Sequence, residues 1–111
     1  MNARSTHAPL EVVDALWQMG QAIKAARLRR RQSASDLASR VGVSLPTLRK
    51  LENGDPTVSL GVFGKAVWVL GLLPAVRDAV SPENDHLAAA IETSRLPRRA
   101  RRSREVNLDD L

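Results

Sequence analysis

The sequence predicts an all-α domain of four to six helices, and three observations carry the prediction. Apolar residues recur at helical spacing through the first third of the chain. Serines stand where successive helices would open, and glycines where they would close. No alternating strand pattern competes with these signals.

The elements follow in order. From about Val12 to Arg31, the positions Val13, Leu16, Trp17, Gly20, Ile23 and Arg27 form one inward stripe. Ser33-Ala34-Ser35-Asp36 reads as a capping box, in which the Ser33 hydroxyl accepts from the Asp36 N–H and the Asp36 carboxylate reaches back. A short helix from Ala34 to Val41 then buries Leu37, Ala38 and Val41. Gly42 closes it, because the residue after a helix often takes positive φ. Ser44 opens the next helix and tolerates Pro46 in its first turn, where the missing N–H has no helical partner to lose. That helix ends at Asn53-Gly54. Ser59 caps a fourth, from Leu60 to Leu70, with Val62 or Phe63, Ala66, Val67 and Leu70 inward and Gly71 at its end. Further helices are expected over Pro74–Val80 and Pro82–Thr93.

Composition removes several function classes. The 111 residues contain no cysteine, so disulfides, thiolate metal sites and a cysteine nucleophile are excluded. His7 and His86 lie far apart and do not form a metal site. There is no tyrosine, no nucleophile paired with a base and no glycine-rich phosphate loop, so the reading is non-enzymatic, with no cofactor. The opening residues lack a secretory pattern, and nothing approaches the roughly 20 apolar residues of a membrane span. A bacterial-type cytoplasm, in association with the nucleoid, is the expected location.

The net charge is +5 and unevenly placed. Residues 1–94 hold 11 basic and 9 acidic side chains, while 95–111 hold 6 arginines against 3 acids. Lys24, Arg27, Arg29, Arg30 and Arg31 fall within eight residues. Local basic patches of this kind suit a polyanion. The domain is placed over 10–94, with its central unit at 33–54. The tail 95–111 has too few apolar groups to offset ordering entropy and is expected to be disordered.

Two short helices joined by the tight Gly42-Val43 turn meet the geometric requirement for reading a DNA groove: the first braces the second, and the second enters the major groove. The string Leu37–Gly54, LASRVGVSLPTLRKLENG, resembles the Xre or Cro/C1-type repressor family, whose pattern is LA-x-x-x-GVS-x-x-T-[LI]-x-x-[LIW]-ENG. The resemblance covers about residues 14–72 and implies a compact lambda-repressor-like fold. From Val58 onward, VSLGVFGKAVWVLGLL is similar to the HipB-like antitoxins.

Carried over position by position, the resemblance implies that the recognition helix presents Leu45, Pro46, Arg49 and Lys50 outward. Lys50 is the candidate donor to guanine O6 or N7, Arg49 reaches a base or a phosphate, and Leu45 meets a thymine methyl. Ser44, Thr47 and Asn53 match phosphate-contacting positions, which fix register without reading sequence. Arg27 and Glu52 match a buried ion pair linking the first helix to the end of the recognition helix. One departure stands out: the family's usual glutamine at the second position of the bracing helix is Ala34 here. Anchoring then shifts toward Arg29, Arg30, Arg31 and Asn53.

A lone unit covers half of a pseudo-palindromic operator, so a homodimer is expected. Phe63, Val67, Trp68, Val69, Leu72 and Leu73 offer apolar material for it; Trp68 is the candidate partner surface, with plain core as its alternative. The leading expectation is a repressor that is the antitoxin of a HipBA-like pair, meeting a HipA-like toxin kinase. Alternatives are a stand-alone Xre-type regulator, or an interaction module that has lost DNA binding. The tail binds DNA through its arginines, meets a partner through the end EVNLDDL, or only solubilises.

Overall fold

The computed structural model describes residues 8–95. His7 and the tail beyond Arg95 lie outside the described residues. All regular structure among them is helical: α1 (Leu10–Arg29), α2 (Ala34–Val41), α3 (Leu45–Glu52), α4 (Leu60–Val69), α5 (Leu73–Ala79), a 3₁₀ turn at Pro82–Asn84, and α6 (His86–Arg95). The chain divides into two compact units, one ending at Val76 and one beginning at Arg77.

In the first unit, local chemistry sets the helix boundaries. Ser33, Ser44 and Ser59 are the N-caps of α2, α3 and α4. Each has extended backbone, and each hydroxyl accepts the N–H three residues on, at 3.0, 3.2 and 3.1 Å. These contacts satisfy donors that a helix start otherwise leaves orphaned. Asp36 completes the capping box by accepting from the Ser33 N–H at 3.4 Å.

Helices α1 to α4 all stop in the same way. The residue after each C-cap, or the C-cap itself for α2, takes the left-handed region, and the next N–H turns back five residues: Gln32 to Arg27 O, Val43 to Ala38 O, Asp55 to Lys50 O and Leu72 to Val67 O. This is the Schellman arrangement, which favours glycine because a Cβ is penalised at positive φ. Gly42, Gly54 and Gly71 fill three of the four positions. The fourth is Arg31, at φ 56°.

The core draws on all four helices: Ile23 and Ala26 from α1, Leu37, Ala38 and Val41 from α2, Leu48 and Leu51 from α3, and Ala66, Val67 and Leu70 from the α4 region. Helix α2 packs on both α3 and α4, and α1 packs on α3. Val67 is therefore core and not partner surface, whereas Trp68 is 65 % exposed and is not core.

Four expectations are corrected. Helix α1 runs from Leu10 to Arg29, two residues earlier at each end than the apolar periodicity indicates. Pro9 presets its entry, with its carbonyl accepting from Val12 and Val13, and Arg31 has already left helical geometry. Val13 and Trp17 are about half exposed, because the buried core meets α1 only from Gly20 onward. In the second unit the stretch from Pro82 is not one helix. The 3₁₀ turn ends at Asp85, whose carboxylate then caps α6 through the Ala88 N–H at 3.1 Å. Arg95, assigned above to the tail, is the last residue of α6.

Candidate nucleic-acid interface

Helix α3 is divided by its own periodicity. Leu48, Leu51 and Glu52 are buried, while Pro46, Arg49 and Lys50, with Asn53 as its C-cap, are exposed; Leu45 and Thr47 are half-buried. Inward burial fixes which side chains remain outward, so the exposed face carries two cations, an amide and an apolar rim. Ser44 accepts from the Thr47 N–H and donates to Thr47 Oγ1 at 3.0 Å, so these two hydroxyls form the helix cap.

The bracing of α3 is polar as well as apolar. The Arg27 guanidinium grips Glu52 with two parallel bonds, Nε to Oε2 at 2.7 Å and Nη2 to Oε1 at 3.1 Å. Both side chains are under a tenth exposed. Arg27 Nη1 also donates to the Gln32 carbonyl at 3.0 Å, tying α1 to the entry of α2. The hydrogen bond to Glu52 raises the Arg27 pKa, outweighing desolvation, so the cation is held firmly. Gln21, which the sequence reading passed over, donates from Nε2 to the Glu52 carbonyl at 2.9 Å and covers an exposed end of the α3 ladder. Its signal was available: Gln21 lies on the same stretch of α1 as Gly20, Lys24 and Arg27.

Close approach of the backbones holds this geometry. A Cβ on Gly20 would stand 2.6 Å from the Leu51 and Glu52 carbonyl oxygens. One on Gly54 would stand 2.6 Å from the Leu16 carbonyl, at a φ of 72° that already disfavours side chains. Thus α1 and the end of α3 lie against each other without intervening side chains.

Arg29, Arg30 and Arg31 are exposed at the end of α1. Arg30 Nη1 donates to the Ala26 carbonyl at 2.7 Å and so closes its own helix. Lys24, counted in the basic cluster but assigned no role, lines a polar concavity with Arg27, Ala34, Arg49, Glu52 and Asn53. Lys24 stands one turn before Arg27, the spacing that puts two residues on one helix face.

Among the described residues no group of three or more His, Asp or Glu side chains gathers at metal-binding distance, and no helix is long and apolar enough to cross a membrane. His86 is exposed at the start of α6.

A family described as a helix-turn-helix domain matches residues 18–80, more than half of the chain. No curated protein and no solved structure matches. The matched span contains the α2–turn–α3 unit, the bracing end of α1 and the supporting helix α4, in an all-helical arrangement compatible with a lambda-repressor-like domain. The chain belongs to the helix-turn-helix domain family, in its Xre/Cro-like form.

Proposed function

We propose that this protein is a transcriptional repressor that binds a pseudo-palindromic double-stranded operator as a homodimer, reading sequence with α3. The observation that carries the reading is the division of α3: one face locked into the core, the other exposing Pro46, Arg49 and Lys50, with half-buried Leu45 at its rim. A braced helix with a free, partly cationic face is what major-groove entry requires. Lys50 donates to guanine, Leu45 meets a thymine methyl, and Arg49 reaches a base or a phosphate; a good base contact contributes roughly 1–3 kcal/mol of discrimination. Ser44, Thr47, Asn53 and the cluster Arg29 to Arg31 meet phosphates, which fix register and supply salt-sensitive affinity.

A gel-shift against the gene's own upstream region tests the reading. The unaltered protein shifts it, and an Arg49→Ala/Lys50→Ala double variant with unchanged melting temperature does not. Absence of any shift below micromolar protein favours an interaction module, the reading to which Ala34 and Leu45 lend support.

We read the regulator more narrowly as the antitoxin of a HipBA-like pair. The similarity of the segment from Val58 and the exposure of Trp68 support a protein partner in addition to DNA. A HipA-like kinase gene beside this one, whose product co-purifies with the chain, is the expected finding. Its absence leaves a stand-alone Xre-type regulator.

A further inference from the structure

A cavity of about 210 Å³ opens between α1, the loop after α3 and the first turn of α4. None of the side chains assigned above to DNA lines it. Its apolar walls are Leu16, Met19, Ile23, Leu51, Val58 and Phe63. Ile23 and Leu51 belong to the core, whereas Leu16, Val58 and Phe63 are half-buried and Met19 is about half exposed. Apolar surface is thus left uncovered at a concave site, which is how small-molecule pockets are built. Two polar side chains interrupt the lining, Ser59 and Asp55. The Ser59 hydroxyl caps α4 by accepting from the Val62 N–H. Asp55 Oδ1 takes both bonds from Thr57, and Oδ2 accepts no hydrogen bond among the described residues. Gly20 and Gly54, where the backbones of α1 and the end of α3 meet, line the cavity as well.

We propose that this cavity is an effector site for a small, uncharged aromatic molecule of one or two fused rings that carries one N–H or O–H donor. Volume sets the size: an apolar cavity of roughly 150 Å³ holds benzene, so this one takes a second fused ring. The walls ask for an apolar body, and a charged group placed against them would lose its hydration. Asp55 Oδ2 asks for a single donor, because a carboxylate only accepts, and a bond to it is charge-assisted. Position supplies the consequence. The ligand lies against the contact that braces α3, and it fits only while α1, the loop and α4 keep this arrangement. It therefore favours the state in which α3 is presented outward, and by linkage it strengthens duplex binding. That second step rests on the DNA-binding reading above; the site itself does not.

The test titrates indole into the unaltered full chain and follows side-chain methyl signals by NMR. Saturable shifts are expected at Leu16, Met19, Ile23, Leu51 and Val58, with a dissociation constant on the order of 100 μM for one buried aromatic group. Indene, which has the same shape and no N–H, is expected to bind about tenfold more weakly. Met19→Trp, which places a ring of its own in the cavity, is expected to abolish saturation at unchanged melting temperature. If Met19→Trp lowers the melting temperature, the indole and indene titrations of the unaltered chain decide alone.

Shifts that never saturate, or that spread equally to the exposed Leu10, Val80 and Leu87, overturn the site. Equal binding of indene overturns the donor requirement and with it the ligand class. Shifts of the same methyls on raising protein concentration without indole would assign the cavity to a side chain of a second copy and overturn the effector reading. Saturating indole is expected to tighten duplex binding about threefold in the unaltered chain and not in Met19→Trp. Unchanged duplex affinity with indole bound overturns the regulatory step. If the protein binds no duplex at any salt, the DNA reading fails, and the methyl titration still decides the site.

Discussion

At the scale of single residues, Glu52 and Arg31 show how far one side chain decides the outcome. Glu52 is buried at the end of α3 and holds Arg27 with a bidentate pair. Glu52→Ala would leave a guanidinium buried and unpaired, at a cost of about 3–5 kcal/mol. A small domain has only about 5–15 kcal/mol in total, so this one change removes a large share. Calorimetry is expected to show a strongly lowered melting temperature, and an unchanged one would contradict the pair's role. Arg31 is the converse case. It occupies the left-handed position that three glycines fill elsewhere, and for a residue with a Cβ this costs about 1–2 kcal/mol. Glycine there is also freer when unfolded, which offsets part of the gain. Arg31→Gly is therefore expected to stabilise the fold by about 0.5–1 kcal/mol in denaturant titration while weakening duplex binding. A side chain kept at a strained position for no gain in DNA affinity would contradict the anchoring role.

Asp55 supplies a titration marker beside the end of α3. Its Oδ1 accepts from the Thr57 hydroxyl at 2.6 Å and the Thr57 N–H at 2.8 Å. These bonds, the hydroxyl first, hold its carboxyl below the ordinary aspartate range, and Lys50 adds attraction. A folded value below the unfolded one contributes stability that is present above the unfolded value and lost as pH falls through the folded one. The loop after α3 is therefore expected to loosen only in acid below the usual carboxylate range. Thr57→Val moves the Asp55 midpoint upward in a carboxyl-carbon NMR titration; no movement would contradict the hydroxyl's part.

At the scale of elements, α2, α3 and α4 were legible in the sequence because each is bounded by chemistry acting over three to five residues. A serine hydroxyl opens each, and a glycine with positive φ follows each. Helix α1 was less legible because its limits depend on Pro9, which no apolar repeat announces, and on an arginine in a glycine-like conformation. Its inward stripe was overdrawn for a different reason: periodicity reports which residues share a face and not whether another element covers them, so Val13 and Trp17 are half exposed. The break before α6 was missed although Asp85 carries a cap signal, because Pro82 offered an earlier start. The backbone contact between α1 and α3 was not legible either, since Gly20 acts through the space it leaves. Gly20→Ala is expected to destabilise by about 1–3 kcal/mol through overpacking, although alanine favours a helix interior by nearly 1 kcal/mol. An equal or higher melting temperature would show that α1 can move away from α3 freely.

At the scale of the whole molecule, the described residues join a closed four-helix core to an outward surface that the core does not need. Trp68 is 65 % exposed on α4, while Ala66 and Val67 beside it are buried. Trp68→Ala is therefore expected to leave thermal stability nearly unchanged and to shift sedimentation toward a smaller species. Lost stability with unchanged assembly would return Trp68 to a packing role. The outward placement of Arg49 and Lys50 was legible for a simple reason: burying Leu48, Leu51 and Glu52 leaves them no other direction. The polar concavity was not legible, because Lys24 and Arg49 are far apart in sequence and come to line it only through the packing of α1 on α3.

Base reading by α3, as proposed, would show itself in the specificity ratio of Lys50→Ala. The ratio of affinities for a selected duplex and a scrambled one of equal length is measured at one salt concentration, for the unaltered protein and the variant. Lys50→Ala is expected to lower the ratio about tenfold, through lost discrimination at one base pair, while scrambled-duplex binding falls by much less. An unchanged ratio, or equal losses on both duplexes, would contradict base reading by α3.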